Sequence, residues 1–314
     1  MKLPLYVGID GGGSKTAVAL LDATGKMIGR GEAGPANLAT SPPGCVHSAL
    51  TEAMHSALQS AGLPGDIAFQ SVCAGMAGYV VLEQRKAFLH LLKTVLRATH
   101  YAVQPDYVVA LWGASGGGPG VCVSAGTGVV VYGRNRAGRQ ARADGNGFLL
   151  GDAGGGFYLG IRALRHTLSK MEGGHKDRLA AAVAHTIGAQ NRDMLVDWVY
   201  HPMEPGRIAR LAGVVGNLAD EGVPQAQHLL RQAARHLWRS AKRVLTNLSE
   251  GDELPLYLTG GLWHISPLLR TYFLQAASSS ASQTVRFALA EPLADAAVGA
   301  ALLALRGGVP EERL

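Results

Sequence analysis

Two similar α/β domains are what this sequence predicts, and three observations predict them. The first 115 residues read as strand, strand, strand, helix, strand, helix, strand, helix. A strand–glycine turn–strand unit at residues 5–21 recurs at residues 121–133. Between the two lies Ser115-Gly116-Gly117-Gly118-Pro119-Gly120, a run that neither helix nor strand sustains.

The first unit opens with an apolar run at residues 5–9, the turn Asp10-Gly11-Gly12-Gly13-Ser14-Lys15-Thr16, and a second apolar run at residues 17–21. Three glycines between strands let backbone approach a ligand, because no Cβ stands in the way. Successive N–H groups in such a turn form a nest for an anion. Ser14, Lys15 and Thr16 add two hydroxyls and a cation. Asp10, at the strand end, suits Mg²⁺, directly or through a water. A P-loop would need Gly-Lys-Ser/Thr before a helix, and a dinucleotide fingerprint a third glycine where Thr16 stands; here a strand follows. The plainer alternative is a glycine-rich hairpin that binds nothing.

A third strand follows at residues 26–34, then a loop with Asn37. Residues 42–61 carry apolar side chains at helical spacing: Val46, Leu50, Ala53, Ala57 and Leu58. A strand at 67–73, a helix at 82–99 and a short strand at 101–103 deliver Asp106, and a short helix covers 107–114. The second unit repeats the pattern, with strands at 121–125, 129–133 and 138–143 and the tight turn Gly126-Thr127-Gly128. A glycine-rich loop at 144–156 holds Gly145, Asn146 and Asp152. Helices dominate 157–248, broken at Gly173-Gly174, His201-Pro202 and Gly222. A strand at 254–258, the turn Thr259-Gly260-Gly261, a helix at 267–277, a strand at 284–288 and an alanine-rich helix at 293–305 complete the chain, with a frayed end from Gly307. The expected domains are 1–117 with the terminal helix 293–314, and 118–292.

Bulk properties exclude several classes. With 47% apolar and 17% charged residues the chain is not a disordered one. The net charge of +6 is mostly arginine dispersed along the chain, with no basic run interleaved with aromatics, which argues against a nucleic-acid partner. Cys45, Cys73 and Cys122 are odd in number and far apart, so neither a disulfide framework nor a metal spacing emerges. His175 and His264 lack a second ligand at helical or hairpin spacing. No leader and no apolar stretch long enough for a membrane is read, so the expectation is a cytoplasmic protein with no membrane partner.

Asp10 to Thr16, Gly126-Thr127-Gly128, Leu149-Leu150-Gly151-Asp152 and Thr259-Gly260-Gly261 follow in an order and spacing similar to that of the N-acetylglucosamine and glucosamine kinases, BadF/BadG/BcrA/BcrD ATPase relatives within the sugar kinase, Hsp70 and actin superfamily. The resemblance covers about residues 5–305. It implies two ribonuclease H-like domains of the actin-like ATPase fold facing a nucleotide cleft, and ATP-dependent phosphorylation of an amino sugar with Mg²⁺. Asp10 then stands near the metal. Gly11, Gly12, Gly13, Ser14, Lys15 and Thr16 form a first phosphate loop, Gly126, Thr127 and Gly128 a second, and Gly260 and Gly261 the adenosine loop. Asp106 matches the base, and Asn37, Gly145, Asn146 and Asp152 match sugar contacts. The final helix is expected to return to the first domain, and a homodimer is an available state.

A carboxylate at Asp106 also makes sense without the resemblance, since a sugar hydroxyl needs a group to orient it and take its proton. Against that stands an N-cap or turn role. Asn37 as a turn residue and Asp152 as an N-cap are the matching plain alternatives. Val129, Asn146, Ala153 and Gly155 depart from the kinases, which commonly carry serine, tryptophan, glutamate and serine there. Val129 removes one phosphate-side hydroxyl, the loss of the tryptophan and glutamate bears on the sugar pocket, and the phosphate apparatus is largely intact. Two other functions compete. One is an activator-type ATPase of the 2-hydroxyacyl-CoA dehydratase kind, whose cluster-binding cysteine pattern is missing here. The other is a sugar or nucleotide sensor without turnover.

Overall fold

In the computed structural model, residues 4–13, 15–38, 41–79, 81–175, 177–250, 252–279 and 285–307 are described. The chain packs as two units, Met1–Cys122 with Ala290–Leu314, and Val123–Leu289.

The first unit is built on strands β1 (Tyr6–Gly11), β2 (Thr16–Leu21) and β3 (Met27–Ala33), helix α1 (Pro43–Ser60), β4 (Ala68–Met76), α2 (Leu82–Val95), β5 (Arg97–Pro105) and α3 (Asp106–Ser115). The sheet order is β3-β2-β1-β4-β5. The meander β1–β2–β3 is antiparallel, and β4 and β5 run parallel to β1. One face carries α1, whose Val46, Leu50, Ala53 and Ala57 bury against Val18, Leu20, Val72 and Phe88.

Two boundaries differ from expectation. The helix expected at 82–99 ends at Val95, and the next strand begins at Arg97 rather than Tyr101. The Tyr101 hydroxyl donates to Leu96 O (2.7 Å) and accepts from Ala98 N (2.8 Å), which holds this segment extended. Strand β4, expected to end at Cys73, runs on through Ala74-Gly75-Met76, because Asp10 and Gly11 of β1 continue to pair with it.

The second unit holds β6 (Gly120–Ala125), β7 (Val129–Arg134), β8 (Gln140–Asp144), α4 (Gly156–Glu172), α5 (Arg178–Ile187), α6 (Arg192–Tyr200), α7 (Pro205–Asp220), α8 (Pro224–Leu248), β9 (Leu254–Thr259), α9 (Pro267–Ser279) and β10 (Phe287–Ala290). The first residues of β6 cluster with the first unit, yet its sheet is β10-β9-β6-β7-β8. Read from its other edge, this repeats the first sheet's order of succession. The fold is therefore α/β with two ribonuclease H-like halves, the actin-like ATPase architecture. The start of the last strand, expected at Thr284, lies outside the described residues, as does the chain from Gly308 on.

Helix α10 (Ala296–Leu305) belongs to the first unit. It begins three residues later than expected, since Asp295 caps it by accepting from Val298 N (3.1 Å). Its small residues seat it on β1, β2, β4 and α3. A Cβ on Gly8 of β1 would lie 2.0 Å from Ala297 O, so only glycine permits that approach.

Candidate active site

In the first unit, Asp10, next to last in β1, lies beside Gly75 of β4, which pairs with Gln104 of β5. Asp106 follows two residues later, across two strand spacings or roughly 10 Å. Both carboxylates thus lie at the carboxyl edge of parallel strands, where ligands of open α/β sheets bind. Burial and the charges of Asp106 and Asp295, opposed by Lys15, push Asp10 up from 3.8 to about 7. Pro105, not Asp106, stands at the N-cap of α3, so the expected capping alternative does not apply. Asp106 is the first helical residue, and its Oδ1 accepts from Tyr107 N (2.8 Å).

The first glycine turn is closed by Gly12 N donating to Lys15 O (3.0 Å). Ala36 N donates to Gly12 O (3.1 Å), which brings Asn37 beside the turn, its Nδ2 3.8 Å from where a Cβ on Gly13 would stand. Lys15 reaches Glu32 Oε1 (3.2 Å). Ser14 lies outside the described residues. Thr16 is a correction. It already pairs with Gly11 in the β ladder, is fully buried, and donates its hydroxyl to Gly34 O (2.7 Å). That hydroxyl serves the fold and is not presented to a phosphate.

In the second unit, Gly126 N donates to Gly128 O (2.9 Å). The start of α4 clamps this hairpin from outside, with Gly156 N on Gly126 O (2.7 Å) and Phe157 N on Thr127 O (2.9 Å). A Cβ on Gly128 would stand 2.3 Å from Asp152 Oδ2, so Gly128 is needed for Asp152 to lie there. Gly126 and Gly261 are different. Neither has a positive φ, and a Cβ on either would meet nothing within 4 Å. Fold packing asks for no glycine at these two places, and a bare backbone suits nucleotide. Gly260, at φ 94°, turns the chain out of β9 against Ala125 O.

The loop after β8 is organised by Asp152. Its Oδ1 accepts from Gly145 N (3.0 Å) and Asn146 N (3.2 Å), and Val129 N adds a third bond. Burial, aided by the Asp144 charge, nonetheless holds its pKa above the ordinary carboxylate value. Gly155 is the cap of α4, so the N-cap alternative for Asp152 fails too. Asp144 (φ 60°) and Asp152 (φ 59°) both adopt left-handed backbone. Such conformations cost about 1–3 kcal/mol each and cluster at functional sites. The Asn146 side chain lies over Gly151, beside Asp144.

Asp144 and Asp295 were not anticipated. Ser240 donates to Asp144 Oδ2. Asp295 pairs with Arg30 (2.6 Å), which also holds Glu32 (2.7 Å), the partner of Lys15. The residue before Gly145 was a readable signal for a left-handed turn; nothing local marked Asp295 as a neighbour of Asp10. Cys73 and Cys122 are buried, and burial pushes the Cys73 thiol to about 12, which suits a core residue. His175 and His264 are exposed. Among the described residues no group of three His, Cys, Asp or Glu could hold a metal, and no helix is long and apolar enough to cross a membrane.

Residues 7–304 match the BadF/BadG/BcrA/BcrD ATPase family. The chain belongs to that family. It is 29% identical over 257 residues to an N-acetylmuramic acid/N-acetylglucosamine kinase of Clostridium acetobutylicum, covering 81% of this chain and 84% of the relative. It is 28% identical over 275 residues to an N-acetyl-D-glucosamine kinase of Dictyostelium discoideum, covering 83% and 86%. A crystal structure from Chromobacterium violaceum, of a candidate N-acetylglucosamine kinase, superposes with a TM-score of 0.79 at 29% identity, covering 96% of this chain and 99% of that one.

Proposed function

We propose that this family member is an ATP-dependent kinase that phosphorylates an amino sugar, N-acetylglucosamine or glucosamine, at its 6-hydroxyl. The observation that carries the reading is the pair Asp106 and Asp10 at the carboxyl edge of one sheet, in a chain whose relatives bear amino-sugar kinase names.

Asp106 is the base in this reading. It orients the sugar hydroxyl and accepts its proton as the new oxygen–phosphorus bond forms and the bond from the γ-phosphoryl group to ADP breaks. Backbone N–H groups of Gly11, Gly12, Gly13, Gly126, Thr127 and Gly128, with Ser14 and Lys15, take the phosphates, and Gly260 and Gly261 the adenosine. Asn37, Gly145, Asn146 and Asp152 hold the sugar. Asp10 would hold Mg²⁺, directly or through a water, and the ion would offset phosphate charge. A carboxyl that its surroundings and the charges of Asp106 and Asp295 keep protonated to about pH 7, despite Lys15, fits a divalent cation. A cytoplasmic homodimer goes with the reading, and sedimentation velocity checks the dimer.

The test is ADP release with ATP and Mg²⁺ against glucosamine, N-acetylglucosamine, N-acetylmannosamine, N-acetylmuramic acid and glucose. Turnover that depends on an amino sugar, and that drops about 10²–10⁴-fold in Asp106→Asn with the ATP KM little changed, is expected. Protein that binds ATP but turns over with none of these sugars would leave the sensor in place of the kinase.

A further inference from the structure

Helix α8 contains 25 residues and not one carboxylate, although it carries Arg231, Arg235, Arg239, Lys242, Arg243, His228 and His236. Like charges spaced four apart weaken a helix. Its first turn holds no acid, and Val223 at the N-cap offers no side-chain acceptor to the positive end of the helix.

At that end lies a cavity of about 520 Å³ between α4, α5 and α8. Its walls are Arg162, Arg165, His166 and His228, over Leu179 and Leu229, and no acidic residue lines it. Arg162 is held by Gln232 (3.1 Å) and His166 by Asp177 (2.6 Å). Of the carboxylates close by, Asp177 is committed to His166, to capping α5 at Ala180 N (2.8 Å) and to Lys170 (3.9 Å), and Glu221 is paired with Arg178 (2.5 Å). Arg165 and His228 have no polar partner among the described residues. Two positioned cationic or donor groups, two unclaimed ones and a buried apolar floor make a site for an anion with a compact body. Along α8 it lies 12 residues, about 18 Å, from Ser240, which contacts the Asp144 loop. The cavity is therefore separate from the sugar-side loop of its own unit.

We infer that this cavity binds a small molecule bearing two or more oxyanion groups, phosphate or carboxylate. The site stands whether or not the amino-sugar reading does. Isothermal titration calorimetry of the full chain in metal-free buffer, with pyrophosphate and with citrate as probes, tests it. Saturable binding with Kd below about 1 mM for either probe is expected. It should weaken at least tenfold in Arg162→Gln/Arg165→Gln and severalfold in the milder His228→Gln, with thermal melts confirming that both variants fold. Arg239→Gln, farther along the same helix, should leave it unchanged. A preference for pyrophosphate or citrate assigns the phosphate or carboxylate source. Binding that survives both cavity variants, that falls equally in Arg239→Gln, or that is absent with both probes overturns the inference.

Discussion

The two glycine hairpins look alike in sequence and are held in opposite ways. The first is closed from within, by Gly12 N on Lys15 O, and is surrounded by charge: Asp10 at its root, Lys15 on Glu32, and Asp106 at the same sheet edge. The second is clamped from outside by the start of α4, with no ionised side chain in its turn, and its one close carboxylate, Asp152, rests against Gly128. The same strand–turn–strand unit has thus become an electrostatic device in one half and a backbone device in the other. In the proposed kinase the first would manage a cation and the second would offer backbone to an anion.

The largest break in that comparison comes from two substitutions two residues apart. Gly128→Ala puts a methyl group on Asp152 and forces it off Gly145 and Asn146. Sugar-dependent turnover should fall by about 10²-fold, as for a displaced positioning group, and the melting temperature should drop. Gly126→Ala meets open space. Its melting temperature should stay at the parent value while the ATP KM rises about tenfold, equivalent to about 1.4 kcal/mol of lost binding. Equal kinetics in the two variants would mean that the hairpin's glycines serve one common purpose.

The first hairpin is sharpened by pH. Asp10 keeps its proton in the folded protein to about pH 7, whereas an unfolded chain releases it near 3.8. Between those values the native state binds more protons, so this residue's contribution to stability is lost as pH rises through the window. A shift of that size corresponds to at most about 4 kcal/mol, and less for a side chain that is only partly buried. Asp10→Asn, melted in EDTA at pH 5 and pH 8, should exceed the parent by a smaller margin at pH 5 than at pH 8, where the gap reaches a few degrees. Mg²⁺ should raise the parent's melting temperature at pH 8 and not the variant's. A parent that gains stability between these pH values relative to the variant would remove the argument for an uncompensated carboxylate.

The succession of strands along the chain was legible because apolar runs alternate with glycine turns, and the repeat of that pattern carried the second half. Asp106 was legible in position as the residue between a strand and a helix, whereas Asp152, inside a glycine-rich loop, stood out only through the resemblance. What stayed hidden depended on packing across long separations. Tyr101 ends a helix by gripping Leu96 and Ala98, which periodicity alone does not reveal. Asp295 approaches Asp10 only because α10 returns to β1 nearly 300 residues later. The cationic cavity is assembled from α4, α5 and α8, so the dispersed arginines that argued against a basic run in sequence become a local cluster in space.

Thr16 supplies the smallest expected effect and a clean separation of fold from chemistry. In sequence it completes the first phosphate loop. In the structure its side chain is buried and its hydroxyl satisfies Gly34 O, where the chain leaves β3. Thr16→Val keeps the β-branched shape and removes the donor, leaving one carbonyl without its partner. The cost should be about 1–3 kcal/mol in urea unfolding, with the ATP and sugar KM values unchanged. Thr16→Ser, which restores the donor but not the methyl group, should recover part of that loss. If Thr16→Val instead raised the ATP KM with stability unaltered, the hydroxyl would belong to the phosphate loop after all. The first hairpin would then use side-chain donors as well as charge, and its contrast with the second would narrow.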